Sequence, residues 1–149
     1  MRRGEPTVRV LVLDDHPGVV RHVAGVLPEG FEVVAALQDA AALLDAVERQ
    51  RPDIILLDIT LPSDSGIGIA SRLRSGGCPG RVVFLTVHDD ADYVRAGFAA
   101  GGTGYVVKAR LATDLVPALE AALEGRRFVS PGSGRDGLGH EELLENSIR

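Results

Sequence analysis

Short apolar runs alternate along the chain with longer stretches in which apolar residues recur every three or four positions. The runs cover residues 8–13, 31–37, 53–57, 81–86 and 104–107 and are rich in Val, Ile and Leu. Nearly continuous apolar runs of four to seven residues are typical of strands that are covered on both faces. The pattern therefore predicts five buried strands.

Residues that start helices precede the stretches between these runs. Pro17 fits the first turn of a helix, where a missing N–H costs nothing. The other predicted starts are Asp39 for a helix over 40–49 with Ala41, Leu44 and Val47 on one face, Ser65 or Gly66 for one toward Arg74, Asp89 or Asp90 for one to Ala100, and Thr113 for the last, with Leu115, Leu119 and Leu123 four residues apart.

Five strands that alternate with five helices predict an α/β fold. The sheet should be parallel and doubly wound, with helices on both faces and right-handed crossovers. In such sheets the ligand site lies beyond the carboxyl ends of the strands. This rule indicates where chemistry should be sought.

The composition changes after Phe128. Residues 130–139 are rich in Gly and Ser, which is typical of a flexible segment. We therefore expect one domain over residues 7–128, followed by a flexible tail or linker remnant over 129–149. A tail of this length is too short for a helix-turn-helix domain, so we expect no direct nucleic-acid binding by this chain.

Charge and composition narrow the class of protein. The net charge of -5 and the pI near 5.3 argue against a nucleic-acid surface. The single cysteine, Cys78, allows no internal disulfide and fits a reducing cytosol. No apolar run approaches the roughly 20 residues that a membrane span needs. The chain has fifteen arginines but a single lysine, Lys108, which suggests a special role for that amine.

Polar residues stand at the ends of four of the predicted strands. Asp14 and Asp15 follow the first strand, Asp58 follows the third, Thr86 ends the fourth and Lys108 follows the fifth. Clustered carboxylates repel one another unless a cation joins them, and hard oxygen ligands suit Mg²⁺. A compact ammonium can hold phosphate oxygens, and a carboxylate can act as the nucleophile in phosphoryl transfer. The pattern thus predicts a phosphoryl-transfer site at this rim.

This set of five residues resembles the signature of response regulator receiver domains, the CheY-like family. Leu61, Pro62 and Gly66 are similar to that family's loop after the phosphorylated aspartate, and residues 14–17, 86–90, 104–108 and 125–131 resemble its NarL/FixJ subfamily. The resemblance implies a flavodoxin-like (βα)₅ fold with the parallel strands in the order 2-1-3-4-5. Two departures are Ala109, where many receivers have proline, and Gly102, where alanine is more usual.

The resemblance also implies roles for individual residues. Asp58 would be the phosphoacceptor, and Asp14 or Asp15 with Asp58 and the backbone carbonyl of Thr60 would bind Mg²⁺. Thr86 and Lys108 would contact the phosphoryl oxygens, and Tyr105 would be the aromatic switch residue. The resemblance also implies two partners: a sensor histidine kinase, and a second copy of this chain bound through the face of the fourth helix, fifth strand and fifth helix. It implies a cytoplasmic location as well.

Several alternatives stay open from the sequence. The output could be transcriptional, if a helix-turn-helix follows in the natural protein, or it could run through protein contacts alone. A phosphatase with an aspartyl nucleophile is disfavoured because its pattern needs two aspartates with one residue between them, whereas Asp14 and Asp15 are adjacent. A receiver that never takes phosphate is disfavoured because the acceptor, metal and lysine positions are intact. His16, His22, His88 and His140 follow no metal-ligand spacing, so we expect them to be solvated or satisfied by neighbours.

Overall fold

The computed structural model describes residues 7–62 and 64–132. In this part of the chain, the five predicted strands and all five predicted helices are present. The strands of the central sheet are β1 (Val8–Leu13), β2 (Phe31–Leu37), β3 (Ile54–Leu57), β6 (Arg81–Thr86), β7 (Gly104–Val107) and β8 (Phe128–Val129), and a short hairpin, β4 (Thr60–Leu61) and β5 (Asp64–Ser65), follows β3. The helices are α1 (Pro17–Val26), α2 (Leu43–Gln50), α3 (Gly66–Ser75), α4 (Ala91–Ala99) and α5 (Leu111–Leu123).

The central sheet is parallel throughout, in the order β2-β1-β3-β6-β7-β8. The strands β6 and β7 are the fourth and fifth of the predicted strands. The predicted order 2-1-3-4-5 of the five strands is therefore confirmed. The two-residue strand β8 at the edge was not predicted. Val129 pairs with Tyr105, and both Val129 and Ser130 are fully buried. The ordered fold thus continues past residue 128, the predicted end of the domain, while residues 133–149 of the predicted tail lie outside the described residues.

Alternate residues of the strands face opposite sides of the sheet, and helices cover both sides. This explains why the strand sequences are apolar at nearly every position. One side packs against α1 and α5, and its core includes Val10, Val12, Ile54, Leu56, Val83, Leu85, Val106, Leu115 and Leu119. The other packs against α2, α3 and α4, and its core includes Leu11, Leu13, Ile55, Leu57, Phe84, Leu43, Ile69, Val94 and Phe98.

Two of the predicted helix starts have the expected caps. The Asp39 carboxylate accepts a hydrogen bond from the Ala41 N–H, and the Ser65 hydroxyl accepts one from the Gly68 N–H. Asp90 precedes α4 as predicted, but its side chain makes no capping hydrogen bond. Local sequence thus located these starts, but a capping residue did not always supply the capping bond.

The predicted apolar face of the second helix was wrong. Leu44 is 66% exposed, whereas Leu43 and Ala46 are buried. Residues Ala40–Ala42 form a 3₁₀ turn before α2, and such a turn has three residues per turn instead of 3.6. The α-helical period therefore begins only at Leu43, which changes the face that meets the core.

The predicted cap of the last helix was also wrong. The chain passes from β7 through a 3₁₀ turn, Lys108–Arg110, directly into α5 at Leu111, without a capping side chain. Thr113 therefore lies inside the first turn of α5, where its hydroxyl oxygen is 3.0 Å from Asp114 Oδ1 and 3.3 Å from the Arg110 carbonyl oxygen. Leu115 and Leu119 are buried as their spacing suggested, whereas Leu123 is 43% exposed.

In the part of the chain that the structure describes, none of the helices combines the length and the apolar character that a membrane span requires.

The family resemblance led us to expect alanine at the position of Gly102, and the packing explains why alanine does not fit here. A Cβ at this position would lie 2.6 Å from Phe84 Cε2 and 3.0 Å from the Gly97 carbonyl. We expect Gly102→Ala to lower the free energy of unfolding by about 1 to 3 kcal/mol through overpacking. Gly25→Ala is the matched control, because a Cβ there meets nothing within 4 Å, and helix propensity should make it neutral or stabilising by about 0.5 kcal/mol. Urea denaturation measures both, and equal effects would contradict the packing argument.

Asp114 on α5 supplies a pH-dependent contribution to stability. Burial acts to raise its pKa, but hydrogen bonds with Arg110, Ser130 and Thr113 outweigh this and leave the pKa below its usual value of 3.8. The ionised carboxylate therefore stabilises the fold above that value, and the contribution is lost as the pH falls through the lowered folded-state pKa.

We expect Asp114→Asn to lower the free energy of unfolding by about 1 to 2 kcal/mol near pH 7. The difference from the unmodified protein should shrink below about pH 4. Urea denaturation across this pH range measures the effect. Asp92→Asn, which removes an 87% exposed carboxylate paired with Arg95, should change stability little. A difference for Asp114→Asn that persists unchanged at low pH would contradict this account.

Candidate functional site

Two aspartates lie side by side at the carboxyl rim of the sheet, one residue past neighbouring strands. The Asp14 N–H donates to the Leu37 carbonyl and the Asp58 N–H donates to the Leu13 carbonyl, at 3.0 and 3.1 Å. These bonds continue the pairing of β1 with β2 and of β3 with β1 by one residue. The backbones of both acids are therefore fixed by the sheet, and their side chains are almost fully buried.

The amine of Lys108 lies between these two carboxylates. Lys108 Nζ is 2.8 Å from Asp14 Oδ2 and 3.0 Å from Asp58 Oδ2, and its side chain is only 13% exposed. Lys108 reaches this position from the 3₁₀ turn that follows β7. The structure thus brings together the acids of the first and third predicted strands with the lysine of the fifth.

Burial and pairing shift the pKa values of this group in a definite sense. Burial raises the pKa of Asp58, and hydrogen bonds from Lys108 and the Thr60 N–H oppose this effect only in part. For Lys108, burial acts to lower the pKa, but its contacts with Asp14 and Asp58 outweigh burial and leave the pKa above its usual value. The amine is therefore held in its charged form at neutral pH.

The acids of the rim outnumber this amine and form a group that could hold a metal ion. One potential ligand atom from each of Asp14, Asp15, His16 and Asp58 lies within 4.8 Å of the others. The two buried oxygens Asp14 Oδ2 and Asp15 Oδ1 have Lys108 Nζ at 2.8 Å and His16 Nδ1 at 3.1 Å as their respective partners. Three carboxylates beside one lysine amine still leave an excess of negative charge, which fits a divalent cation.

His16 belongs to this acidic group, which spacing alone did not indicate. His16 Nδ1 lies 3.0 Å from Asp14 Oδ1 and 3.1 Å from Asp15 Oδ1, and the His16 N–H also donates to Asp14 Oδ1. Its position directly after the Asp14–Asp15 pair was the available signal. Thr60 lies beside Asp58 and its N–H donates to Asp58 Oδ1 at 3.1 Å; the role of its carbonyl stays a prediction.

His88 connects Thr86, Tyr105 and Thr60. The Thr86 hydroxyl accepts from the His88 N–H, and the hydroxyl of the fully buried Tyr105 donates to the His88 carbonyl at 2.8 Å. His88 Nε2 lies 2.7 Å from Thr60 Oγ1, and its ring stacks on Tyr93. The sequence indicated only that His88 would be solvated or satisfied by neighbours. These contacts could not be predicted, because they depend on how the β6–α4 loop folds back.

The Tyr105 phenol is kept protonated by its surroundings. Burial raises its pKa, and the nearby carboxylates of Asp90 and Asp89 raise it further. The hydroxyl therefore acts as a hydrogen-bond donor at any physiological pH. This keeps its bond to the His88 carbonyl available.

Gly66, at the start of α3, lies in close backbone contact with Asp58. A Cβ at position 66 would lie 2.0 Å from the Asp58 carbonyl oxygen, and the Gly66 N–H donates to the Ile59 carbonyl at 2.7 Å. Such a separation is far below any van der Waals contact, so only glycine lets the chain pass this closely. The glycine singled out by family resemblance thus has a steric reason.

Comparisons with known proteins agree with this architecture. A family model described as the response regulator receiver domain matches residues 10–120. The "Probable transcriptional regulatory protein NarL" of Mycobacterium tuberculosis is 35% identical over 128 residues, which cover 83% of this chain and 58% of that protein. The nitrate/nitrite response regulator protein NarP of Escherichia coli is 35% identical over 124 residues, which cover 82% of this chain and 58% of NarP.

Solved structures agree as well. A two-component response regulator of the LuxR family from an Aurantimonas species matches with a TM-score of 0.81 and 32% identity, over 96% of this chain and 99% of that chain. The chain spans 58% of the length of the two curated relatives named above. The family model, the relatives and the fold lead to one conclusion: the chain belongs to the response regulator receiver domain family, among relatives of the NarL and NarP type.

Proposed function

We propose that this domain is a phosphorylation switch in which Asp58 accepts a phosphoryl group from a phosphohistidine of a sensor histidine kinase. The observation that carries the proposal is the placement of Lys108 Nζ within 3.0 Å of both Asp14 and Asp58. An acid that is buried beside a fixed ammonium and two further carboxylates suits phosphoryl transfer, because that reaction depends mainly on positioning and charge stabilisation.

In the transfer step, a carboxylate oxygen of Asp58 forms a bond to phosphorus while the bond between phosphorus and the imidazole nitrogen breaks. The electron pair of that bond stays on the imidazole of the kinase. Lys108 carries its positive charge throughout and can exchange a carboxylate partner for phosphoryl oxygens. Thr86, fully buried at the end of β6, can donate its hydroxyl to the same oxygens.

The acidic group is proposed to hold Mg²⁺ through Asp14, Asp15, Asp58 and the Thr60 carbonyl. When bound, this ion would neutralise negative charge on the transferring group. The excess of carboxylate charge, with potential ligand atoms of Asp14, Asp15, His16 and Asp58 within 4.8 Å of one another, supports the assignment. His16 stands at the edge of this group and would orient Asp14 through the bond from its backbone N–H.

The switch would run from Thr86 through His88 to α4. The phosphoryl group adds roughly two negative charges. By accepting a hydrogen bond from the Thr86 hydroxyl it would draw this hydroxyl toward Asp58 and away from the His88 N–H, which now donates to it. Since Tyr105 donates to the His88 carbonyl and α4 begins three residues later, a shift of this loop would alter the face formed by α4, β7 and α5. We propose this face as the surface for homodimerisation and output.

The output of the natural protein is proposed to be transcriptional control through a DNA-binding region outside this chain. The names of the relatives, which are transcriptional regulators longer than this chain, support that proposal. The alternative is a receiver that signals by protein contact alone, and the 3′ end of the natural gene discriminates the two. In either case the domain would work in the cytoplasm and would catalyse only its own phosphorylation and dephosphorylation.

The site assignment predicts a single, Mg²⁺-dependent phosphorylation. With acetyl phosphate as donor, intact-mass spectrometry should show one added phosphoryl group. This labelling should not occur when Mg²⁺ is chelated before the donor is added, and it should fall to background in Asp58→Ala. Asp92→Ala, which changes an exposed carboxylate on α4, should be labelled like the unmodified protein. Undiminished labelling of Asp58→Ala would refute the assignment, and repeated turnover of phosphate esters would favour the phosphatase alternative.

The role of Lys108 predicts that Lys108→Ala keeps the fold but uncouples the site from the loop. Without the amine, a phosphoryl mimic such as beryllofluoride should no longer shift the backbone amide signals of residues 86–99 in NMR spectra, whereas the unmodified protein should show these shifts. Lys108→Arg retains charge but not a compact ammonium, so it should restore the response only in part. A normal response in Lys108→Ala would count against this role.

A further inference from the structure

Ser130, just past the edge strand β8, contacts the strand that carries Tyr105 and Lys108. The Ser130 N–H donates to the Tyr105 carbonyl at 2.9 Å. The Ser130 hydroxyl accepts from the Val107 N–H at 3.1 Å, and the residue is fully buried. One serine thus binds the peptide groups of the switch tyrosine and of the residue immediately before the lysine.

The side chain of Ser130 does this because β8 ends one residue earlier, at Val129. A longer strand would offer a backbone carbonyl to the Val107 N–H, and here the hydroxyl oxygen takes that place. On its other side Val107 pairs with Thr86 of β6. Removing the hydroxyl would leave a partly buried N–H without its acceptor at the point where the chain turns toward Lys108.

A second connection reaches Lys108 from its other side. The Ser130 hydroxyl neighbours the Asp114 carboxylate and contributes to lowering its pKa. Asp114 in turn accepts from Arg110 Nε at 2.7 Å and from the Thr113 hydroxyl at 3.0 Å. Arg110 ends the 3₁₀ turn that begins at Lys108, so the backbone on both sides of the lysine is tied to the buried serine.

We propose that Ser130 is a positioning residue for Lys108, fixing the backbone from which the amine reaches Asp14 and Asp58. The proposal rests on the proposed function of that site in phosphoryl transfer.

The single lysine makes the first test direct. When the chain is labelled with ¹³C,¹⁵N-lysine, its lysine side-chain NMR signals come from Lys108 alone. They can be recorded on the unphosphorylated protein. In Ser130→Ala these signals should shift and broaden. The control is Thr103→Val, which removes a hydroxyl bond to the Val82 carbonyl at the opposite end of β7 and should leave the Lys108 signals unchanged. Unchanged signals in Ser130→Ala would overturn the proposal.

Phosphorylation kinetics provide the second test. With acetyl phosphate and Mg²⁺, Ser130→Ala should lower the maximal labelling rate at least about threefold while the KM for the donor changes less than about twofold, because a displaced amine impairs the transfer more than the capture of donor. Ser130→Cys retains a weak acceptor and should recover part of the rate. If Ser130 only stabilised the fold, then Ser130→Ala and Thr103→Val variants with equal urea midpoints should lose the same fraction of the maximal labelling rate. That result would overturn the proposal. Failure of the unmodified protein to be labelled would instead refute the proposed function and leave the NMR test standing.

Discussion

Two buried carboxylates share one ammonium at the rim of this sheet, and the rest of the site follows from that arrangement. Asp14 and Asp58 would repel each other strongly at this burial if Lys108 did not lie within 3.0 Å of both. With Asp15 beside them, the group still has more negative than positive charge. Such a site is stabilised by binding a further cation, and its charged amine can pair with an incoming anion.

The sheet supplies the rigidity that this arrangement needs. The backbone N–H groups of Asp14 and Asp58 are bound by carbonyls of the neighbouring strands, so the acids extend the pairing of the sheet instead of lying in free loops. The strands behind them are apolar on both faces and packed under five helices. Side chains on such a support hold their positions within the small tolerances that group transfer requires.

The fold and the main site residues were predictable because both arise from short-range rules. Apolar runs give parallel strands, and parallel strands bring their carboxyl ends to one rim, so Asp14, Asp58 and Lys108 could be placed together from the sequence. The strand β8 could not, because two residues carry no periodicity and β8 exists only through its pairing with β7. The contacts of His16 and His88 escaped for a related reason: they are set by loop conformations that no repeating pattern records. The apolar face of α2 was misjudged because a 3₁₀ turn displaced the helical period.

Gly66 has a consequence for how this chain can diverge. A side chain there would collide with the Asp58 carbonyl, whereas a Cβ at Gly25 would meet nothing within 4 Å. Sequence drift should therefore be far easier at Gly25 than at Gly66. Position 66 can accept almost no replacement without moving the Asp58 carboxylate, so its tolerance of mutation should be among the narrowest in the domain.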